Sequence, residues 1–498
     1  MNTSDVLWVA SLLVGAWLVC GCAAAATDAS VVNPHVSTDK SVDCSTADRI
    51  LRDLVKDDMT DEQKVLACFN WIRRLIYHGD GIRKYAYNFH YLINVLGNGS
   101  CGRQTTPLAM LLHKLGYRSQ NWTRNGHHMM QVFYGGRWHC LDPHMNFYVY
   151  DRSKPPTIAS IEQLQEDPTL ALDAVKEGRA CPGFLLCGDS PRVFAGRSGR
   201  WKNYGEYPKG FHRPVVREPF GRITLRRGES YIRTWTPGKH WFKKNSWMKD
   251  SAPFHSCTRR DRKDTVNWPL YEANAAKVKY GVAYRHSGAG RIVYHPDLST
   301  DHYLDAVVKQ ANLTLGKIRE SVGLRPVDRS KPGEIIFSVN CPYAVTAGKV
   351  FARAVGEGAI RAAVSTDKGK TWQPLKPLPT SFTYASEFVD PVNGSFDGYW
   401  IRLGTSGRTV ISEVKLTTEF QLNPYSLPYL VPGRNVVRVE AGSYGSPLTV
   451  KYEWGEGPNW AVRKSRQKTF RKSGSFIVDV AKGKRWPRMH ALTLSVGR

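Results

Sequence analysis

Two hydrophobic periodicities alternate between residues 40 and 175. Val65, Leu66, Phe69, Ile72, Leu75 and Ile76 recur at three- and four-residue intervals, the spacing of one helical face. Thr60-Asp61-Glu62-Gln63 precedes them as a capping box: the Thr60 hydroxyl can accept from the backbone and Gln63 can return the bond. A helix is therefore predicted after Thr60, with His78-Gly79-Asp80-Gly81 as its stop and Cys68 on its buried side as a core thiol. Leu108, Leu111, Leu112 and Leu115 predict a second helix closed by Gly116. Gln131 to Tyr134, Gly135-Gly136 and Arg137 to Asp142 read as two strands joined by a glycine turn.

From about residue 190 the pattern changes to short strand-like segments, GRITLRR, SYIRTW, GEIIFSV, KVFARAV and IRAAVST, separated by Gly, Pro and Asp. This is β-sandwich patterning. A partly helical connector is expected over Tyr303 to Val322, followed by a turn at Lys331-Pro332-Gly333 and a boundary near residue 325. Ser365-Thr366-Asp367-Lys368-Gly369-Lys370-Thr371-Trp372 resembles an Asp-box, a hairpin-turn signature; one copy reads as a turn stabiliser, since a propeller needs several. The fold class expected is α+β, with a mixed region at 40–185, a basic β-rich region at 186–325 and a β-sandwich region at 326–498.

At 498 residues the chain is too long for one ordinary domain. Its 42% hydrophobic and 23% charged residues exclude a mostly disordered protein. The net charge of +27 favours polyanionic partners. Residues 191–265 alone hold 19 Lys or Arg against 6 Asp or Glu, with Trp201, Trp235, Trp241 and Trp247 interleaved. That stretch reads either as a solvated basic face over core tryptophans or as a groove for an acidic polysaccharide or wall polymer. No nucleic-acid-binding module is recognisable, so nucleic acid is not an expected partner.

Val6 to Val19 is apolar, too short for a membrane span, and followed by four alanines; residues 1–26 read as a secretory signal. Val19-Cys20-Gly21-Cys22 also resembles a bacterial lipoprotein signal, in which lipidated Cys22 would attach the protein to a membrane. The expected location is secreted, periplasmic or cell-surface. Eight cysteines remain after the signal, and Cys181 with Cys187 is the best local disulfide pair. Asn98, Asn121 and Asn312 are formal glycosylation acceptors.

Three blocks carry candidate chemistry: Gly99-Ser100-Cys101-Gly102 ahead of the leucine helix, His127 opening a strand, and Trp138-His139-Cys140-Leu141-Asp142-Pro143 on the returning strand. With the turn centred on Gly135-Gly136, Tyr134 faces Arg137, Phe133 faces Trp138 and Met129 faces Asp142. His127 and Asp142 then become diagonal neighbours on one face, while His128 points to the other. A carboxylate behind an imidazole, with a thiol at a helix N-terminus before it, is a nucleophile–base–orienter arrangement. His113, His127, His128, His139 and His144, with Cys140 and Asp142, also invite a zinc reading, but neither a CxxC pair nor an HExxH helix is present; no metal and no cofactor is expected.

These ordered blocks, GSCGRQTTPLAMLLHKLGY, HHMMQVFYGGRW and WHCLDP, resemble the transglutaminase-like superfamily with its papain-like core. The resemblance implies Cys101 as nucleophile, His127 as general base and Asp142 as orienting carboxylate. It also implies acyl transfer at a carboxamide of a protein or peptide substrate through a thioester, within a catalytic domain at 40–185. The Cys101 N–H and one further donor, Asn98 or Trp71, would hold the oxyanion. Three positions depart from the family pattern: Met129 replaces an aromatic, Gln131 replaces an acid, and Pro107 interrupts the leucine helix. Pro107 implies either a kink or a helix that restarts with Thr106 as its cap. The alternative function is a catalytically silent surface protein that binds acidic polysaccharide.

Overall fold

The computed structural model describes residues 29–78, 87–124, 127–144, 147–176, 202–207, 216, 218–236, 288–318, 320–375, 398–483 and 486–498. The signal segment with Cys20 and Cys22, the Cys181–Cys187 pair, Cys257 and most of the basic stretch 191–265 lie outside them. The fold is α+β: among the described residues the α-helices all end by Lys176, and several sheets make up most of the rest. Among the described residues no helix is long and apolar enough to cross a membrane.

Five α-helices occur in the described residues: α1 (Ala47–Leu54), α2 (Asp61–Leu75), α3 (Cys101–Lys114), α4 (Ile161–Glu166) and α5 (Thr169–Lys176). The expected capping box starts α2: the Gln63 N–H donates to Thr60 Oγ1 at 3.3 Å and the Thr60 N–H to Gln63 Oε1 at 2.8 Å. This helix ends at Leu75, ahead of the expected glycine stop, because Tyr77–His78 enters a parallel ladder with Asn98–Gly99. Cys68 is fully buried, and burial pushes its thiol up to about 12.

Helix α3 does not restart at Thr106. It runs unbroken from Cys101 with Ser100 as N-cap and Pro107 inside. Proline removes the donor that would serve the Arg103 carbonyl. One turn earlier, the Thr105 and Thr106 hydroxyls both donate to the Gly102 carbonyl, at 3.1 and 2.7 Å. The helix closes as expected at Gly116, whose φ of +90° suits glycine; Tyr117 N–H reaches back to Leu112 O at 3.0 Å.

An antiparallel sheet orders Arg137–Leu141, His127–Tyr134, Arg118–Arg124 and Lys202–Glu206 side by side. Its central hairpin has the expected register, Tyr134 opposite Arg137 through Met130 opposite Leu141. Gly135 and Gly136 both have positive φ, +56° and +78°, as a two-residue turn between twisted strands requires. Met130, Val132 and Leu141 enter the large core with α3, whereas Met129 and Cys140 enter a smaller one with α4 and α5.

The β region is knitted across its length. One sheet runs in the order Leu313–Ile318, Ser321–Pro326, Thr409–Leu422, Gly288–Tyr294, Glu229–Thr234, Arg488–Val496, Leu448–Glu456 and Val462–Phe470, with Ala344–Gly356 also paired to Thr409–Leu422. Strands from either side of residue 325 thus share one sheet. The connector expected to be partly helical over Tyr303–Val322 is helical only at its start: the 3-10 helix Asp301–Ala306 gives way to strands Val307–Ala311 and Leu313–Ile318, and then to Ser321–Pro326. Leu313 pairs with Pro326, Leu315 with Leu324 and Lys317 with Val322 across this hairpin, so ladder formation overrides the helix-like spacing there.

The Asp-box-like segment is a turn between Arg361–Ser365 and Gln373–Pro374. Asp367 accepts from the Thr371 N–H and hydroxyl at 2.9 and 2.6 Å, and Lys368 and Gly369 take positive φ. Asn312 holds its own turn: its Nδ2 donates to the carbonyls of Asp328 and Lys331 at 2.9 Å each. Asn121 is buried, so neither it nor Asn312 presents a free amide for a glycan.

Candidate active site

Cys101 is the first residue of α3, and three local features place it there. The Asn98–Gly99 strand pairs in parallel with Tyr77–His78 and delivers the chain to Ser100. Gly99 must be small, since a Cβ there would stand 2.7 Å from the Cβ of Arg103. The Ser100 carbonyl then accepts from the N–H groups of Arg103 and Gln104 at 2.9 and 3.1 Å, which fixes the first turn. The dipole of α3 therefore starts at Cys101. The sulfur accepts the backbone N–H of His128 at 3.3 Å, which ties the helix to the start of the central strand.

His127 Nε2 lies 2.6 Å from Asp142 Oδ2. The side chain of Asp142 is fully buried, while that of His127 keeps 23% of its surface exposed. The acid is thus sealed behind a ring that substrate can reach. Asp142 is fixed by a two-way backbone bridge to Phe147, at 2.9 and 3.0 Å, and its Oδ1 accepts the His144 N–H at 3.0 Å. Burial acts most strongly on His127 and disfavours its charge. The Asp142 carboxylate and a hydrogen bond with Cys101 outweigh it and raise the imidazole well above its usual value. With Nε2 held by Asp142, Nδ1 is the ring atom left to face the sulfur. Cys101, His127 and Asp142 are brought together in the order expected from their spacing.

Among the described cysteines, Cys101 alone is partly exposed; Cys44, Cys68, Cys140 and Cys341 are buried, and all five are free thiols. Burial pushes Cys341 up to about 12 and raises Cys44 and Cys140 well above the usual thiol range. Both expected oxyanion donors have surroundings of their own. Asn98 Nδ2 donates to the Leu96 carbonyl at 2.9 Å. Trp71 lines a cavity of about 990 Å³ beside Asn70, Arg74, Tyr425 and Tyr429, and none of the three site residues borders it.

The departures from the family pattern have local accounts. Gln131 is fully buried; its Oε1 accepts the Ile161 N–H at 2.9 Å and its Nε2 donates to Glu162 at 3.3 Å, so it caps α4 from the neighbouring strand. Met129 fills the smaller core. His139 places Nδ1 2.6 Å from the Ile158 carbonyl and Nε2 3.1 Å from the Tyr134 carbonyl, so both ring nitrogens face backbone oxygens. Among the described residues no group of three or more His, Cys, Asp or Glu is placed to hold a metal ion.

Further side chains stand around the three site residues. Tyr87 and Arg103 sit close enough to act on each other and on Cys101: burial first raises the Tyr87 phenol, Arg103 opposes this, and Cys101 adds to it. His144 stands with its ring 5.5 Å from that of His127. Tyr87 precedes every motif block, so spacing gave no signal for it, whereas His144 belongs to the histidine set that invited the zinc reading. The strand Lys202–Glu206 pairs with Arg118–Arg124 and brings Tyr204 to 6.2 Å from the His128 ring, so residues beyond 185 complete the sheet beside the site.

No family model matches the sequence, and no curated protein matches it. The pilus backbone from Streptococcus pneumoniae is 12% identical over 36% of this chain and 51% of its own, with a TM-score of 0.08; a likeness that weak carries no argument about fold or function.

Proposed function

We propose that this chain is an exported cysteine enzyme of the transglutaminase-like type, with a papain-like core followed by sandwich-type β domains. It acts on carboxamide or peptide bonds of a protein substrate and needs no cofactor. The observation that carries this reading is the 2.6 Å contact between His127 and buried Asp142, with the Cys101 sulfur, at the start of α3, accepting the backbone N–H of the adjoining His128 at 3.3 Å.

In this reading the Cys101 sulfur attacks the carbonyl carbon and a C–S bond forms. The C–N bond then breaks, and the His127 proton leaves with the amine. His127 next takes a proton from water as the hydroxide adds to the thioester; the C–S bond breaks and the acid is released. Water is favoured over an amine acceptor because it is the abundant one. Asp142 orients the ring and stabilises its charged form throughout.

The test is labelling and turnover. Iodoacetamide at neutral pH, mapped by mass spectrometry, is expected to modify Cys101 ahead of the buried thiols. Cys101→Ala is expected to abolish ammonia release from a glutamine-rich protein such as casein. Turnover retained by Cys101→Ala overturns the assignment.

One observation favours a second reading, a surface protein for acidic polysaccharide. The edge strand Val462–Phe470 carries Arg463, Lys464, Arg466 and Lys468, all exposed, with no acid along it. Lysine-rich edges also prevent strand-to-strand aggregation. Binding of a polyuronate that weakens steeply with salt, in a protein with no turnover, selects the second reading.

A further inference from the structure

A second cavity, of about 490 Å³, lies away from Cys101, between the N-terminal segment, the loop 218–222 and the β region. Its walls include Tyr231, Arg233, Tyr343 and Phe220, with Asn33, Ser37 and Thr46 as polar members. Arg233 projects from strand Glu229–Thr234, and its guanidinium stands 5.0 Å over the Tyr231 ring. Its Nε is sealed from solvent and has no hydrogen-bond partner. The polar groups around it are the phenols of Tyr231, Tyr343 and Tyr452. Among the described residues no carboxylate pairs with it.

The acids in the same wall are already spent. Asp43 takes His35 and Arg49, each at 2.9 Å, and the Ser45 hydroxyl at 2.6 Å. Glu440 takes the other arm of Arg49 at 3.0 Å. Glu218 accepts the Ala47 N–H at 2.8 Å and lies 3.7 Å from His90. Arg222 is exposed to water and donates to the Glu218 carbonyl at 3.2 Å. Among the described residues Arg233, half-buried with its Nε sealed, is therefore left facing the cavity without a carboxylate partner. Burying an unmatched cation is costly, and such a cost is repaid when an anion arrives.

We propose that this cavity binds a small organic acid, whose carboxylate pairs with Arg233 while its polar body lies against Asn33, Ser37 and Thr46. A single unmatched cation suits one negative charge, and the planar guanidinium matches a carboxylate through two parallel hydrogen bonds. A phosphate dianion would call for a second sheltered cation, and Arg222, the other arginine in this wall that meets only a carbonyl, is exposed. The cavity volume suits a ligand of sugar-acid size.

Titration calorimetry on the full chain tests this with glucuronate, neutral glucuronamide and inorganic phosphate as probes. Glucuronate is expected to bind saturably and glucuronamide at least tenfold more weakly. Arg233→Met is expected to lose glucuronate binding while melting no lower than the parent protein, since it removes an unmatched charge. If Arg233→Met does not fold, Arg233→Lys decides, because it keeps the charge without the fork; a tenfold loss of affinity supports the site. No saturable glucuronate binding, equal binding of glucuronamide, binding to phosphate alone, or unchanged affinity in the Arg233 variant that folds each overturns it. Cys101→Ala is expected to bind glucuronate as the parent does, which separates this site from the proposed catalysis.

Discussion

His127 is held between two opposing influences. Burial works against its charge, while Asp142 at 2.6 Å and the Cys101 sulfur work for it, and the second pair prevails. The consequence for pH has a definite sign. A histidine whose folded value is raised contributes stability that is fully present below its unfolded value of about 6.5. That contribution is lost as pH rises through the folded value. Asp142→Asn keeps an acceptor for the His144 N–H but removes the charge. The His127 midpoint, followed by NMR, is expected above 6.5 in the parent protein and lower in Asp142→Asn. The stability gap between the two is expected to narrow as pH rises through the parent midpoint. An unchanged midpoint would sink the role given to Asp142.

Between elements, one side chain carries much of the connection from the helical part to the β region. Asn423 is fully buried just past strand Thr409–Leu422; its Nδ2 donates to the carbonyls of Leu75, at the end of α2, and Ile93, at 3.0 and 2.6 Å. Gly97, with φ of +57°, lies so close that a Cβ there would stand 2.7 Å from Asn423 Cγ. Asn423→Ala leaves two buried carbonyls without these donors, at about 1–3 kcal/mol each. Urea unfolding is expected to register a loss in that range or above; no change would mean that other donors replace the amide. None of this is readable from local pattern. The α2 capping box and the glycine hairpin were legible because each is closed within a few residues. The Tyr303–Val322 segment was misread beyond Ala306 because its strands are decided by partners across the sheet rather than by their own spacing.

For the molecule as a whole, chain order and spatial order diverge. Val31–Val32 pairs with Thr224–Leu225 and with Ser443–Tyr444, and His35–Thr38 pairs with Gly433–Glu440, so the N-terminal segment is part of the C-terminal sheets. Lys202–Glu206 completes the sheet beside the candidate site. A fragment of residues 29–185 would lose both sets of partners and the Asn423 bonds. It is expected to lack a cooperative urea transition and to expose Cys68 and Cys140 to alkylation, where the full chain protects them. A fragment that unfolds cooperatively with those thiols protected would refute this dependence.

The hairpin register followed from sequence alone, because a two-residue glycine turn sets the parity of every position beyond it and thereby puts His127 and Asp142 on one face. The unbroken course of α3 past Pro107, the approach of the Cys101 sulfur to that hairpin, and the unmatched charge of Arg233 were decided only by tertiary structure. Each depends on which groups the fold packs alongside, and local periodicity holds no record of those neighbours.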